Sequence, residues 1–290
     1  MQKVKKAVIP VAGFGTRFLP FTKAVPKSML PVVNMPAIQL IIEEAVKSGI
    51  EEILLVVGQH KEIIESHFSP AEELERVLEG RGSLEYLKIA QYPSNMAKIQ
   101  YIIQEKQIGT GNAVLIAEDF VNGEPFAVMF GDDLMQGEKP VLKQLIEVFE
   151  SSNKTVIGVQ SVGYENLAKY ASCEYSEKNG RTYTLTALTE KPDPSQAKCD
   201  LAPLGRYVMR ADFFENLHAL KPGIHGEYQL TDAIEMEIRR AGLLAYEFEG
   251  RRYDMGDVFG YLQANVEFAL ENPAYKDKME KYLKNLVKKF

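Results

Sequence analysis

Three features of the sequence predict an α/β fold built on a doubly wound mixed sheet. Short apolar, β-branched runs alternate with stretches of helical periodicity as far as Val162. Glycine-rich turns or acidic residues stand directly after several of those runs. Beyond Tyr170 the pattern changes to short strands and turns, which predicts a smaller β region packed against the first half, and a helical segment ends the chain.

Val4 to Val11 reads as a buried strand and runs into the turn Ala12-Gly13-Phe14-Gly15-Thr16-Arg17. Pro20, Pro26, Pro31 and Pro36 then forbid a long helix and predict an extended loop. Ala37 to Ser48 has helical periodicity and closes at Gly49, and Glu52 to Val57 is a second buried strand. Lys61 to Gly80 is charged and helical in pattern. Lys98 to Gln104 reads as a strand leading to a second turn, Gly109-Thr110-Gly111, with helix expected over Asn112 to Ala117. Pro125 to Phe130 is a third buried strand ending on Gly131-Asp132-Asp133, followed by helix over Val141 to Glu150 and strand over Thr155 to Val162. Glu174 to Tyr183 and Thr184 to Leu188 are the short strands of the second region. Asn265 to Phe290 reads as helix interrupted near Pro273, with Met279, Tyr282, Leu283, Leu286 and Phe290 on one face. The organisation expected is a main unit over 1–264, with halves of about 1–165 and 166–264, and a helical segment over 265–290 that could form a subunit contact.

The 290 residues are 46% apolar and 26% charged, ordinary for a globular chain of this length. The net charge of −6 argues against a nucleic-acid backbone or an anionic membrane as partner. A small anionic substrate must then be drawn by local cations. Cys173 and Cys199 have no metal or redox spacing, and they read as free thiols of a reducing compartment. No apolar stretch is long enough for a signal-peptide core or a membrane span, so the cytoplasm is the expected location.

In open α/β sheets, ligands bind outside the carboxyl ends of the strands. The turn at Gly13, the turn at Gly109 and Asp132 all follow strands and can share one crevice. The first loop carries the strongest signal. Gly13 and Gly15 let the backbone approach a ligand, and successive N–H groups, Thr16 included, can form an anion-binding nest. Arg17 offers a planar fork for phosphate oxygens and Lys27 a compact positive charge. The dinucleotide fingerprint fails, because Phe18 stands where its third glycine is needed. The P-loop fails as well, since no Gly-Lys-Ser/Thr string occurs at the required spacing.

This loop resembles the signature of the nucleoside-diphosphate-sugar pyrophosphorylases, whose fold is Rossmann-like. The stretch Thr22-Lys23-Ala24-Val25-Pro26-Lys27-Ser28-Met29-Leu30-Pro31-Val32 is similar to the bacterial UTP–glucose-1-phosphate uridylyltransferases in particular. The likeness continues through Gln104, Gly109 to Val114, Gly131-Asp132-Asp133, Glu190-Lys191-Pro192 and Gly205-Arg206-Tyr207. It closes with Gly226 to Asp232 and Arg252 to Asp257. These motifs stand in family order and cover nearly the whole chain.

The resemblance implies transfer of the uridylyl group of UTP to glucose 1-phosphate, giving UDP-glucose and pyrophosphate with Mg²⁺ as cofactor. It implies that Gln104 reads the uracil edge, which suits an amide holding both donor and acceptor. Ala12, Gly13, Gly109 and Gly111 would line base and ribose. Asp132 would bind the metal, with Asp254 as a second carboxylate and Asp133 behind them. Glu190 and Lys191 would serve the sugar phosphate. Neighbours on a strand point to opposite faces, so a bend before Pro192 is needed for both to reach one ligand. Gly205, Tyr207 and the position of Ala171 would complete the sugar pocket. Arg17, Lys27, Asp132 and Lys191 would form the catalytic set. A homodimer or homotetramer is implied as well.

Ser28 stands where the uridylyltransferases usually carry glutamate, Asn112 where histidine is common, and Ala171 where glycine is usual. The Ala171 methyl narrows the expected sugar pocket, and none of the three removes a charge the chemistry needs. His60, His67, His218 and His225 lack zinc-site spacing, although His225 lies beside Gly226-Glu227 and near the expected pocket. The same chemistry with dTTP or another sugar 1-phosphate stays open at this point, as does a catalytically silent regulator that binds nucleotide sugars.

Overall fold

The computed structural model describes residues 3–223 and 226–289. His225 and Phe290 lie outside the described residues. The chain opens with β1 (Lys6–Pro10), then β2 (Pro31–Val32), β3 (Met35–Pro36), α1 (Ala37–Lys47) and β4 (Glu52–Val57). Next come α2 (Lys61–His67), α3 (Glu72–Gly80), α4 (Leu84–Gln91), β5 (Lys98–Ile103), α5 (Thr110–Leu115), α6 (Glu118–Val121) and β6 (Phe126–Met129). β7 (Asp133–Gln136), α7 (Val141–Ser152), β8 (Val156–Ser161), β9 (Ala171–Asn179), β10 (Thr182–Glu190) and β11 (Leu201–Met209) follow. The remainder is α8 (Phe214–His218), α9 (Leu230–Ala241), β12 (Leu244–Glu247), β13 (Arg251–Asp254), α10 (Val258–Glu271) and α11 (Lys276–Val287).

Nine strands form one mixed sheet in the order β5-β4-β1-β6-β11-β8-β12-β10-β9. β5, β4, β1 and β6 are parallel neighbours, so their carboxyl ends share one rim. β11 runs antiparallel between β6 and β8, and it comes from the stretch expected to form the second half. β1, β4 and β6 are buried on both faces, which is why they read as continuous apolar runs, whereas the edge strand β5 is partly exposed. Ala7 and Ile9 enter one core beneath α1 and α7, while Val8 enters the other beneath α5, α8 and α9. Ile53 and Leu55 alternate with Leu54 and Val56 in the same way.

Several boundaries differ from the sequence reading. The proline-rich stretch is extended only in part: Pro31–Val32 and Met35–Pro36 form β2 and β3, while Phe21–Lys23 and Lys27–Met29 are short 3₁₀ turns, as is Thr16–Phe18 just before the stretch. Pro20 and Pro26 stand immediately before two of them, where a missing N–H leaves no bond unmade. The helix expected over 61–80 is two helices, broken at Ser69-Pro70. The second-region strands form one long hairpin that reverses at Gly180 rather than between Tyr183 and Thr184. Register shifts at Thr184/Leu185 and Leu185/Ala187 bend this hairpin. The terminal helix starts earlier than Asn265, because the Asp257 carboxylate caps the N–H groups of Phe259 and Gly260 at 3.0 Å each. The 264/265 boundary therefore falls inside α10.

Candidate active site

The chain crosses from one side of β1 to the other between β5 and β6, so a crevice is expected above the β1/β6 edge. A cavity of about 360 Å³ lies there. Its walls come from Pro10 to Gly13 after β1, Lys27 and Ser28, Gln104 and Gln107 after β5, and Phe130 to Asp132 after β6. Gly109, Thr110, Ala113, Glu227 and Gln229 close it.

Six of the residues given a site role from sequence line this cavity: Ala12, Gly13, Lys27, Gln104, Gly109 and Asp132. Thr16 lies in an adjoining groove with Lys23, Gln59 and His60. Gly15 turns the loop in the left-handed region, and its carbonyl accepts the Thr22 hydroxyl at 2.8 Å. Gln104 spends its amide N–H groups on Gly109 O (3.3 Å) and Asn112 Oδ1 (3.0 Å), which leaves its carbonyl oxygen for a ligand. Gly109 carries φ 108, and a Cβ there would stand 2.4 Å from the Tyr228 carbonyl. Gly111 is turned away from the cavity: it packs on the same Tyr228 carbonyl, to which its N–H donates at 2.8 Å.

The charged groups converge at the mouth of the cavity. Lys27 Nζ donates to Asp132 Oδ2 at 2.6 Å, with side chains 19% and 37% exposed. Arg17 Nη1 donates to the Gly256 carbonyl at 3.1 Å, and Gly256 N–H donates to Asp254 Oδ1 at 2.8 Å. A Cβ on Gly256 would sit 2.9 Å from Asp254 Oδ1, 3.1 Å from Asp132 Oδ2 and 3.4 Å from Arg17 Nη1. Gly256 therefore marks the point that Arg17, Asp132 and Asp254 all reach. The β7–β13 ribbon makes this possible by pairing Asp254 with Asp133 in register.

Burial alone would raise the Asp132 carboxyl, but the Lys27 ammonium and the Arg252 guanidinium more than offset it and hold the group below its ordinary value. Asp133 behaves oppositely. Burial, reinforced by the charges of Asp132 and Asp254, pushes it up to about 6 against the pull of Arg252 and Arg206. Two carboxylates sharing one point, with oxygen donors only, fit a hard divalent cation that takes its other ligands from phosphate and water. No group of three or more His, Cys, Asp or Glu side chains is arranged for a metal among the described residues, so a site held by protein ligands alone is not the match.

The residues expected on the sugar side do not line this cavity. Ala171 is buried and faces Glu190 across the β9–β10 pair. Glu190 Oε2 accepts the Thr231 hydroxyl at 2.7 Å. The backbone turns at Lys191, whose φ is 43, and its Nζ comes within 3.9 Å of Glu190 Oε1. The expected bend thus stands at Lys191 itself. Gly205 packs on the Asp133 carboxylate within β11. Tyr207 is buried with its ring 5.3 Å from Phe130, and burial pushes its hydroxyl well above the ordinary phenol range.

Several neighbours escaped the sequence reading. Arg252 pairs with Asp133 and donates to the Tyr170 hydroxyl at 2.9 Å. Gln107 Nε2 clamps the Ala12 carbonyl at 2.6 Å. Beneath the cavity, the fully buried Arg206 pairs with Glu44 at 2.7 Å and donates to the Asp133 carbonyl at 2.7 Å. Ser28 Oγ and Gln107 Oε1 are buried without a hydrogen-bond partner among the described residues, both on residues of the cavity wall. The position of Arg206 within Gly205-Arg206-Tyr207 was visible; its burial was not.

Residues 6–271 match the nucleotidyl transferase family. The chain is 44% identical over 286 residues to the UTP–glucose-1-phosphate uridylyltransferase of Staphylococcus epidermidis, covering 99% of both chains. The enzyme of that name from Staphylococcus haemolyticus shows the same identity and coverage. Among solved structures, UTP-bound UGPase from Acinetobacter baumannii superposes with a TM-score of 0.91 at 33% identity, over 98% of this chain and 99% of that one. A UDP-glucose pyrophosphorylase complexed with UDP-glucose gives a TM-score of 0.83 at 34% identity, over 93% and 100%. With its crevice, its paired carboxylates and these likenesses over almost its full length, the chain belongs to the nucleotidyl transferase family, among the UTP–glucose-1-phosphate uridylyltransferases.

Proposed function

We propose that the protein transfers the uridylyl group of UTP to glucose 1-phosphate, releasing pyrophosphate and UDP-glucose. The observation that supports this most is the convergence of Arg17, Lys27, Asp132 and Asp254 at the mouth of a nucleoside-sized crevice. The named activities of the relatives at 44% identity support the same reading.

In this reading Gln104 offers its free carbonyl oxygen to the imide N–H of uracil, and the backbone of Ala12, Gly13 and Gly109 borders base and ribose. Gly15, Thr16 and Arg17 face the triphosphate. Gly111 and Gly205 act through packing, while Ala171 and Tyr207 shape the sugar side. A phosphate oxygen of glucose 1-phosphate attacks the α-phosphorus of UTP. That P–O bond forms as the bond to the departing pyrophosphate breaks. A phosphate monoester has a second pKa of about 6, so it is largely ionised at neutral pH and no general base is required.

The difficulty is charge, since an anion must approach an anion. Arg17 and Lys27 stabilise the triphosphate and the leaving pyrophosphate, and Lys191 neutralises the sugar phosphate beside Glu190. Lys27 must leave Asp132 to do so, and the incoming phosphates give its ammonium a new partner. A divalent cation, Mg²⁺ in this reading, would be held by Asp132 and Asp254 and would supply charge screening to the triphosphate.

No helix among the described residues is long and apolar enough to cross a membrane, which fits the cytoplasmic location proposed here. The exposed Tyr282 and Val287 of α11, with Tyr275 just before it, are the surface proposed for a dimer or tetramer, and sedimentation tests it. Pyrophosphate release measured with UTP, glucose 1-phosphate and Mg²⁺ tests the activity. Run across four nucleotides and several sugar phosphates, it should peak with this pair. A peak with dTTP or with another sugar phosphate would replace the substrate assignment.

A further inference from the structure

The groups assigned to the two reactants lie on different parts of the chain, and one residue joins them. Tyr170 stands just before β9. Its carbonyl accepts the Lys191 N–H at 3.0 Å and so pins the turn that ends β10. Its hydroxyl donates to Asp254 Oδ2 at 3.2 Å and accepts from Arg252 Nη1 at 2.9 Å. The ring centroid lies 5.0 Å from the Arg252 guanidinium, which is itself held by Asp133. Asp254 Oδ1 is already taken up by the Gly256 N–H. Without the tyrosine hydroxyl, Asp254 Oδ2 would keep only the 3.5 Å approach of Arg252 Nη2.

We propose that Tyr170 is a positioning residue for the transfer reaction, setting the Asp254 carboxylate in register with the main chain of Lys191. This rests on the nucleotidyl-transfer reading above. A bond made at one end of a residue and a bond made at its other end fix two distant groups at a constant separation. Reaction between two bound anions depends steeply on that separation, because misplacement by about 1 Å can cost about 10²-fold. A phenol, with an ordinary pKa of about 10, keeps its proton at neutral pH and so can donate to Asp254.

Tyr170→Phe removes the hydroxyl alone, keeping the ring over Arg252 and the carbonyl on Lys191. The expected result is a fall in kcat of about 10–100-fold, the usual cost of losing a group that orients a metal-binding carboxylate. KM for UTP should stay within about twofold, and the Mg²⁺ concentration for half-maximal rate should rise several-fold. Calorimetric titration with UTP should weaken at Mg²⁺ below saturation, recover at saturating Mg²⁺ and stay unchanged in EDTA, a split that general loosening of the fold does not produce. In the Asp254→Asn background the same substitution should cost little more, since the hydroxyl acts through that carboxylate.

Wild-type kcat and Mg²⁺ dependence in Tyr170→Phe, or losses that multiply in the double variant, would overturn the proposal. Should Tyr170→Phe fail to fold by circular dichroism, Arg252→Lys keeps the charge beside Asp133 and loses the fork on the hydroxyl. It should shift the Mg²⁺ dependence in the same direction, and no shift overturns the proposal. An inactive wild type would sink the underlying reading as well. An active wild type with an indifferent Tyr170→Phe sinks the tyrosine assignment alone.

Discussion

The two sides of the site are built differently. The crevice beside β1 and β6 is walled on several sides, and its loops are tied together by Gln107 on Ala12, Lys27 on Asp132 and Arg17 on Gly256. The base of the β9–β10 hairpin is open: the Lys191 side chain is 63% exposed and that of Glu190 35%. None of Ala171, Glu190, Lys191, Gly205 and Tyr207 lines the cavity. In the proposed reading a nucleotide therefore meets a surface already formed, whereas a sugar phosphate meets the Glu190 and Lys191 side chains, which still face water. The parallel strands give the first side its rigidity, and a bent antiparallel hairpin gives the second its reach.

The sharpest way to break this contrast is to loosen the rigid side from below. Arg206→Met leaves the Glu44 charge buried without its partner and should cost about 3–5 kcal/mol, read from the midpoint of denaturant unfolding. Replacing Glu44 by leucine in the same chain should recover most of that loss. Asp132→Asn comes next. It should lower kcat by about 10²–10³ and cost no more than about 1 kcal/mol of stability, from the loss of the part-exposed Lys27 pair. A loss spread equally over stability and rate would mean that Asp132 serves the scaffold.

On the open side, Lys191→Ala should raise KM for glucose 1-phosphate by at least about tenfold and leave UTP binding nearly unchanged, because an exposed cation has few structural partners. Unchanged Michaelis constants with full turnover would remove Lys191 from the site. The smallest effect concerns pH. Asp133 titrates at about 6 in the folded chain and at about 4 when unfolded, so between those values the native state binds more protons. Stability should therefore fall as pH rises through that window, and Asp133→Asn should flatten the slope.

The nucleotide side was also the more legible in sequence. β4 was readable to the residue, because an apolar run bounded by Gly49 and Gly58 has no competing interpretation. The turns after β1, β5 and β6 announced themselves by glycine and aspartate. The sugar side was readable only in outline. Where the hairpin reverses depends on pairing over its whole length, and the local signal at Tyr183-Thr184 misplaced it. The 3₁₀ turns were hidden because proline excludes long helices yet permits single turns. Arg252 and Tyr170 stand 82 residues apart, and nothing local joins them. Arg206 carries a charge into the core, against every compositional expectation, and only its partner Glu44, 162 residues away, explains it.

The insertion of β11 between β6 and β8 has a consequence for how the protein comes into being. As the polypeptide emerges from its amino end, β6 and β8 are complete long before residue 201 is made. Until then each presents a bare edge that only a later strand can cover, and such edges invite pairing with other nascent chains. A fragment ending near residue 165 should accordingly aggregate rather than fold, and the seam closes only when the last third of the chain arrives.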